Sequence, residues 1–374
     1  MHTTTVHSAH SAHSARPLRH APRNFAQTPL NVYWEMTQAC ALACRHCRAE
    51  AMPQPHPRQL THEESLRFLR QIPEFGDPLP QLILTGGDPL SRPDLIELVD
   101  AARALGIPVS ITPSATPTLT REILVQLKEH GVEALGLSLD GSNPGLHDAI
   151  RGIPGTFERT LEAARWAAEL DMPLQINTLV TAETAPDLKN TYELLKAVRV
   201  ARWGLFFLIA VGRGRVLSAL EPGEAEELMG WIYEIMKEAP FVVATTEAPS
   251  FRRVAVGRMR AEGLSGEQIQ RSTIGRGFGI RDGNGIVFVS STGDICPAGF
   301  LPVAAGNVRS ANIVQVYRES PLFAALHDPT QFGGRCGRCE YKMLCGGSRA
   351  RAFTAGGDPL GEDPLCPYEP AARN

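Results

Sequence analysis

The stretch Cys40-Ala41-Leu42-Ala43-Cys44-Arg45-His46-Cys47 places three thiols within eight residues, directly after the apolar run 32–36. Three sulfurs on one short loop can hold three corners of an iron–sulfur cube and leave the fourth iron without a protein ligand. Electron-transfer clusters are ordinarily closed by four Cys, and structural zinc sites by four Cys or His. A vacant coordination position is where a small molecule can bind and react. The other five of the chain's eight Cys, at positions 296, 336, 339, 345 and 366, all fall in the last quarter. Such segregated clusters in a large chain argue for metal ligation over disulfides. Cys336, Cys339, Cys345 and Cys366 supply four thiolates, enough for one closed cluster or one tetrahedral zinc.

These residues need elements to position them. From residue 31 to about 211, short apolar runs alternate with helix-period segments. Strands are predicted at residues 32–36, 81–85, 108–112, 134–139, 173–180 and 203–209, with helices at 63–71, 94–105, 121–130, 156–170 and 185–198. Thr61 with Glu64 reads as a capping box, and Gly106 and Gly131 as helix C-terminal stops. Near-continuously apolar strands separated by helices indicate a parallel sheet with helices outside. Six such units read as an α/β fold, an open, partial (β/α)6 TIM-like barrel with a small Cys-rich C-terminal extension. In such folds chemistry gathers at the C-terminal ends of strands, and the polar motifs follow the strands here.

The chain then divides into a His/Ser/Ala-rich tail at residues 1–28, a barrel at 29–240, a connecting segment at 241–284 and the extension at 285–374. The tail, with His2, His7, His10 and His13, reads as disordered, since it holds no apolar segment. Further on, residues 222–239 read as a helix, 241–246 as a strand, 285–296 as a hairpin and 313–318 as a short helix. The 374 residues are 43% hydrophobic and 21% charged with a formal charge of −3, a globular composition. That charge offers no electrostatic reason for a nucleic-acid or anionic-membrane partner. No run approaches the ~20 apolar residues of a spanning helix, and the N-terminal residues lack the hydrophobic centre of a signal peptide. A cytoplasmic location is expected.

The Cys-x3-Cys-x2-Cys spacing resembles the signature of the radical S-adenosylmethionine (SAM) enzymes, in which SAM's amino and carboxylate groups complete the cluster. Gly86-Gly87-Asp88, after the second strand, resembles the Gly-Gly-Glu motif that holds SAM's amino group, with Asp88 in place of Glu. The family pattern also resembles Ser138-Leu139-Asp140-Gly141 and His147-Asp148-Ala149-Ile150-Arg151-Gly152. The resemblance implies Ser138 near the sugar–methionine part, Arg151 on the carboxylate and Asn177 at the ribose. It implies His46 as a stacking residue at the adenine, with the backbone of residues 210–215 lining that base. Ser114, after the third strand, is a further polar candidate. The implied chemistry is delivery of an electron to SAM's sulfonium, giving a 5′-deoxyadenosyl radical that abstracts hydrogen from an unactivated C–H.

The Cys-rich end resembles the SPASM/twitch extension behind radical SAM barrels, which implies one auxiliary [4Fe–4S] cluster beside the SAM-binding [4Fe–4S]. Ser348 stands where related enzymes often carry another Cys. Cys296 either replaces one of the four later ligands or is a spare thiol. The motifs look like the branch containing haem-biosynthesis radical enzymes, with pyrroloquinoline-quinone and mycofactocin peptide maturases more distant. An oxidoreductase or lyase acting on a tetrapyrrole or other small molecule is expected, supplied by an electron donor such as flavodoxin or ferredoxin. Arg213, Arg215, Arg252 and Arg253 are available to anchor tetrapyrrole propionates. The alternatives are a maturase of a ribosomally made peptide and, in another class, an iron–sulfur electron carrier without SAM chemistry.

Overall fold

The structure, a computed structural model, describes residues 23–371. The His-rich stretch at 1–22 lies outside the described residues. Residues 23–28, counted with the tail on sequence grounds, are fastened to the body. Arg23 donates to the carbonyls of Pro29 (2.6 Å) and Pro78 (2.7 Å), and the Tyr317 hydroxyl donates to the Phe25 carbonyl.

Ten strands form one sheet: β1 (Asn31–Glu35), β2 (Gln81–Thr85), β3 (Val109–Ile111), β4 (Val132–Ser138), β5 (Leu174–Val180), β6 (Arg202–Phe207), β7 (Val242–Thr246), β8 (Ile286–Val289), β9 (Asp294–Cys296) and β10 (Gly306–Asn307). Their order is β10-β9-β8-β1-β2-β3-β4-β5-β6-β7. From β8 through β7 every neighbouring pair is parallel. The β8–β9–β10 end is antiparallel. The partial barrel is therefore wider than six units: β7 adds to one edge, and β8, the first strand of the expected hairpin, docks on β1 at the other. Strand β8 was legible as a strand, but its pairing with β1, some 250 residues away along the chain, leaves no local trace.

Alternation along each strand sorts side chains onto two faces. On β5, Ile176 and Thr178 are buried against the helices, whereas Gln175 and Asn177 are half-buried on the inner face. Outside the sheet, apolar faces of helices such as His62–Leu69, Leu95–Ala104 and Thr156–Glu169 complete the core. Polar atoms in this layer are matched: the Trp203 indole donates to Thr178 Oγ1 at 2.8 Å, which donates to the Leu139 carbonyl at 2.7 Å. The Thr61 capping box forms, with Glu64 Oε2 accepting the Thr61 N–H at 2.9 Å. Helix Pro144–Arg151, which was not foreseen, opens on the Asn143 side chain, an acceptor for the Leu146 N–H.

The extension shares the barrel's core. Val287, Val289, Ile295, Tyr317 and Phe323 belong to the same buried cluster as Trp34 and Phe68. Among the described residues no helix is long and apolar enough to cross a membrane.

Candidate functional site

The Cys loop leaves the C-terminal end of β1 and is gripped from several sides. Cys40 N–H donates to the Met52 carbonyl at 2.8 Å. The end of β2 lies against the loop backbone, where Gly87 N–H donates to the Thr37 carbonyl and Asp88 N–H to the Ala39 carbonyl, each at 2.7 Å. Gly86 has φ +150°, and a Cβ there would lie 2.4 Å from the Thr37 oxygen; one at Gly87 would lie 2.4 Å from the Ala39 oxygen. The two glycines thus admit the Cys loop itself. On the far side, helix Pro144–Arg151 ends in Gly152 (φ 72°), where a Cβ would come within 2.7 Å of the Ala43 oxygen. The turn after β6 also reaches in, Arg213 N–H donating to the Cys47 carbonyl at 3.1 Å.

Asp88 is 1% exposed. Its carboxylate accepts from Leu90 N–H (3.2 Å), Ser114 N–H (3.3 Å) and Thr116 Oγ1 (2.9 Å). Burial pushes its pKa up, and those donors oppose the rise. The side chain thus braces the loop after β3 from behind the Gly-Gly turn. Ser114 joins the two segments, donating to the Gly87 carbonyl at 3.0 Å with its Oγ 3.4 Å from Cys40 Sγ.

The sulfurs sit in a nearly dry setting. Cys40 and Cys44 are buried and Cys47 is half-buried. Leu42 N–H donates to Cys40 Sγ and Ala51 N–H to Cys47 Sγ, both at 3.3 Å; Arg151 Nη1 lies 3.8 Å from Cys44 Sγ. Burial pushes the Cys40 and Cys44 thiols up, and Arg151 pulls Cys44 back. Donors aimed at sulfur are a recognised lever on cluster potential.

Beside the loop lies a buried charge cluster. Arg151 Nη2 is 2.6 Å from Asp140 Oδ2, and Asp140 Oδ1 accepts the Leu179 N–H at 2.8 Å. Burial is the largest influence on Asp140 and would raise its pKa, but Arg151, His46, His147 and the Leu179 N–H together outweigh it and hold the carboxyl below its usual range. The Asp140 N–H donates to His147 Nδ1 at 3.0 Å, so the neutral ring carries its proton on Nε2. Burial, then Arg151, pushes His46 and His147 each down to about 4. Arg151 Nε, Arg213 Nε and Nη2, His46 Nδ1 and His147 Nε2 are buried without a partner. Unmatched buried donors are costly, and guanidinium N–H groups are what a carboxylate ligand would satisfy. Arg213, expected from sequence as a propionate anchor, stands beside the Cys loop, whereas the side-chain role of Asp140 was not read from its motif at a strand end. Ser138 and Asn177 are register partners on the inner face, where Asn177 Oδ1 accepts from Gln175 Nε2 at 2.7 Å. The strand-end candidates thus gather at one end of the sheet, around the three thiols.

Cys336, Cys339, Cys345 and Cys366 line a second, separate cavity. Arg349 Nη2 lies 3.5 Å from Cys336 Sγ, and the Asp363 and Gly347 N–H groups each donate to sulfur at 3.4 Å. Among the described residues no three His, Cys, Asp or Glu side chains converge tightly enough to hold a single metal ion. The four thiols line one cavity, a donor set for a closed iron–sulfur cluster or a tetrahedral zinc. Cys296 is absent from the cavity lining: it lies on β9 opposite Phe288, with burial pushing its thiol up to about 12. Ser348 caps helix Arg349–Gly356 and donates to Glu247 at 2.5 Å.

Two anchor assignments need correction. Arg253 is paired with Glu226 and lies 3.7 Å from Cys366 Sγ, while Arg252 donates to the Ile280 carbonyl at 2.7 Å. Both arginines are occupied around the second cavity and away from the barrel mouth.

Comparison with known proteins follows this geometry. A family profile described as the Radical SAM superfamily matches residues 34–195. The chain is 37% identical over 344 residues to the "AdoMet-dependent heme synthase" of Oleidesulfovibrio alaskensis, covering 91% of this chain and 88% of that protein. It is 27% identical over 350 residues to the "PqqA peptide cyclase" of Rhodopseudomonas palustris, covering 91% and 88%. Among solved structures, Streptococcus suis SuiB bound to S-adenosylmethionine matches with a TM-score of 0.69 at 18% identity, covering 91% of this chain and 78% of that one.

Proposed function

The chain belongs to the radical SAM superfamily, as a SAM-binding enzyme related to the haem-biosynthesis and PqqA-peptide branch, and on that premise we propose that its substrate is a tetrapyrrole. The carrying observation is the 37% identity to a heme synthase across nine-tenths of the chain, against 27% to a peptide cyclase over the same span.

In this reading Cys40, Cys44 and Cys47 hold a [4Fe–4S] cluster open at one iron, and Cys336, Cys339, Cys345 and Cys366 hold a closed auxiliary [4Fe–4S]. When bound, the open cluster and SAM supply the 5′-deoxyadenosyl radical that takes hydrogen from the substrate. Arg151 and Arg213 present their unpaired N–H groups to SAM's carboxylate, an assignment supported by those orphaned donors. Asp88, buried behind Gly86 and Gly87, supplies negative field for the ammonium group. His46, uncharged at neutral pH, offers a flat face to the adenine. Ser138 and Asn177 face the ribose from the inner wall. An external flavodoxin or ferredoxin supplies the electron, in the cytoplasm.

The test is anaerobic reconstitution with iron and sulfide, followed by dithionite, SAM and an iron coproporphyrin. The expected result is 5′-deoxyadenosine together with a changed tetrapyrrole mass. 5′-Deoxyadenosine beside an unaltered tetrapyrrole would remove the substrate assignment. None at all, with both clusters loaded, would favour an electron carrier.

A further inference from the structure

Behind the lining of the four-thiol cavity, which itself holds Arg253, Arg335, Lys342 and Asp363, lie further arginines. Arg349 is fully buried, and its hydrogen bonds among the described residues go to the carbonyls of Gly347, Pro359 and Gly361 and to Cys336 Sγ. Arg281, 3% exposed, donates to the carbonyls of Gly279 (2.8 Å) and Leu326 (2.9 Å). Arg252 donates to the Ile280 carbonyl. Arg281 and Arg349 flank the ring of Phe332, at 5.1 and 4.4 Å from its centroid, and pack on Gly346 and Gly347 of the cavity wall. Asp282 is the acid beside Arg281, and its carboxylate accepts the Ala350 N–H at 2.9 Å.

Buried cations held by carbonyl dipoles alone are costly unless an anion lies within reach. A thiolate-ligated iron–sulfur cluster is such an anion, and it gains one further negative charge on reduction.

We propose that Arg281 and Arg349 act as potential-setting residues, a cationic pair that stabilises the reduced form of the four-thiol centre and raises its reduction potential. The inference rests on the reading that these thiols hold an iron–sulfur cluster. Fixed positive charge in a low-dielectric wall favours the more negative redox state, and charge and hydrogen bonds at sulfur are how a protein tunes such a centre.

The test uses the full chain with Cys40, Cys44 and Cys47 all changed to Ala, so that only the four-thiol centre remains. After anaerobic reconstitution, the midpoint potential is read by electron paramagnetic resonance at a series of applied potentials, with iron and sulfide assayed in parallel. Arg281→Gln is expected to lower the reduced-to-oxidised ratio about tenfold at fixed potential, a 59 mV shift for one electron. Arg281→Lys, which keeps the charge, is expected to hold the parental value, and Arg349→Gln to shift it in the same direction as Arg281→Gln. Unchanged potentials in both Gln variants at full cluster content would overturn the proposal. So would equal loss of cluster from the Gln and Lys variants with no shift in what remains, the mark of a purely structural contact. Zinc, or no iron–sulfur signal, in the parent would remove the cluster reading and the proposal together.

Discussion

Arg151 has two partners that make opposite demands: Asp140, which it neutralises, and the ligand for which its Nε is left free. Arg151→Ala strands a buried carboxylate, which costs about 3–5 kcal/mol in comparable buried pairs. A clear fall in melting temperature and loss of SAM binding by equilibrium dialysis are expected. Arg151→Lys is expected to recover stability better than binding, because a lysine lacks the bidentate fork. The thiols separate by role: Cys44→Ala is expected to abolish 5′-deoxyadenosine formation, whereas Cys339→Ala spares part of it, as measured by chromatography of anaerobic reactions. Histidine gives a pH signature. His147, with an ordinary value of 6.5, is pushed down to about 4 in the fold. Between those values the unfolded chain binds the proton and the folded chain does not, so stability falls as pH drops through that window. The contribution is up to about 3 kcal/mol for a shift of that size. His147→Asn keeps an acceptor for the Asp140 N–H and is expected to flatten the melting-temperature profile over that range. The Cys residues and Arg151 were legible because their signals are local spacings. The bracing role of Asp88 was not, because its partners Ser114, Thr116 and Thr118 come from the next β–α unit.

At the scale of elements, the site depends on backbones that nearly touch. Gly87→Ala would drive a Cβ to within 2.4 Å of the Ala39 oxygen and 2.6 Å of the Gln38 oxygen, neither of which can swing away as a side chain would. Loss of the three-thiol cluster is expected, visible as a drop in iron per chain, while the four-thiol centre keeps its own iron. The first six strands could be placed from sequence because buried parallel strands are continuous apolar runs. Helix Pro144–Arg151 could not, because it begins with Pro144-Gly145, a pair that reads as a turn. Proline is nevertheless accommodated in a first helical turn, and this short helix carries both His147 and Arg151 to the Cys loop.

On the scale of the whole molecule, barrel and extension are not separable bodies. Glu35 of β1 pairs with Arg48 at 2.8 Å and also accepts from the Ser291 hydroxyl at 3.1 Å, tying the Cys loop to the β8–β9 turn. Removing residues 285–374 would expose the edge of β1 and uncover core around Trp34, and an open apolar edge invites aggregation. A chain ending at residue 284 is expected to be recovered as inclusion bodies. The full chain is expected to unfold in one calorimetric transition; two well-separated transitions would contradict the shared core. The boundary read from sequence at 285 follows the segregation of the cysteines, which does not report which strand finds which.

The parallel seam between β1 and β8 also has a consequence for biosynthesis. On the ribosome the first strand of the sheet emerges early and waits for a neighbour that is among the last segments translated. Through most of synthesis the nascent sheet therefore ends at an unpaired margin next to the thiols of the Cys loop. The margin beside those thiols stays open until the final segment is released and closes the seam.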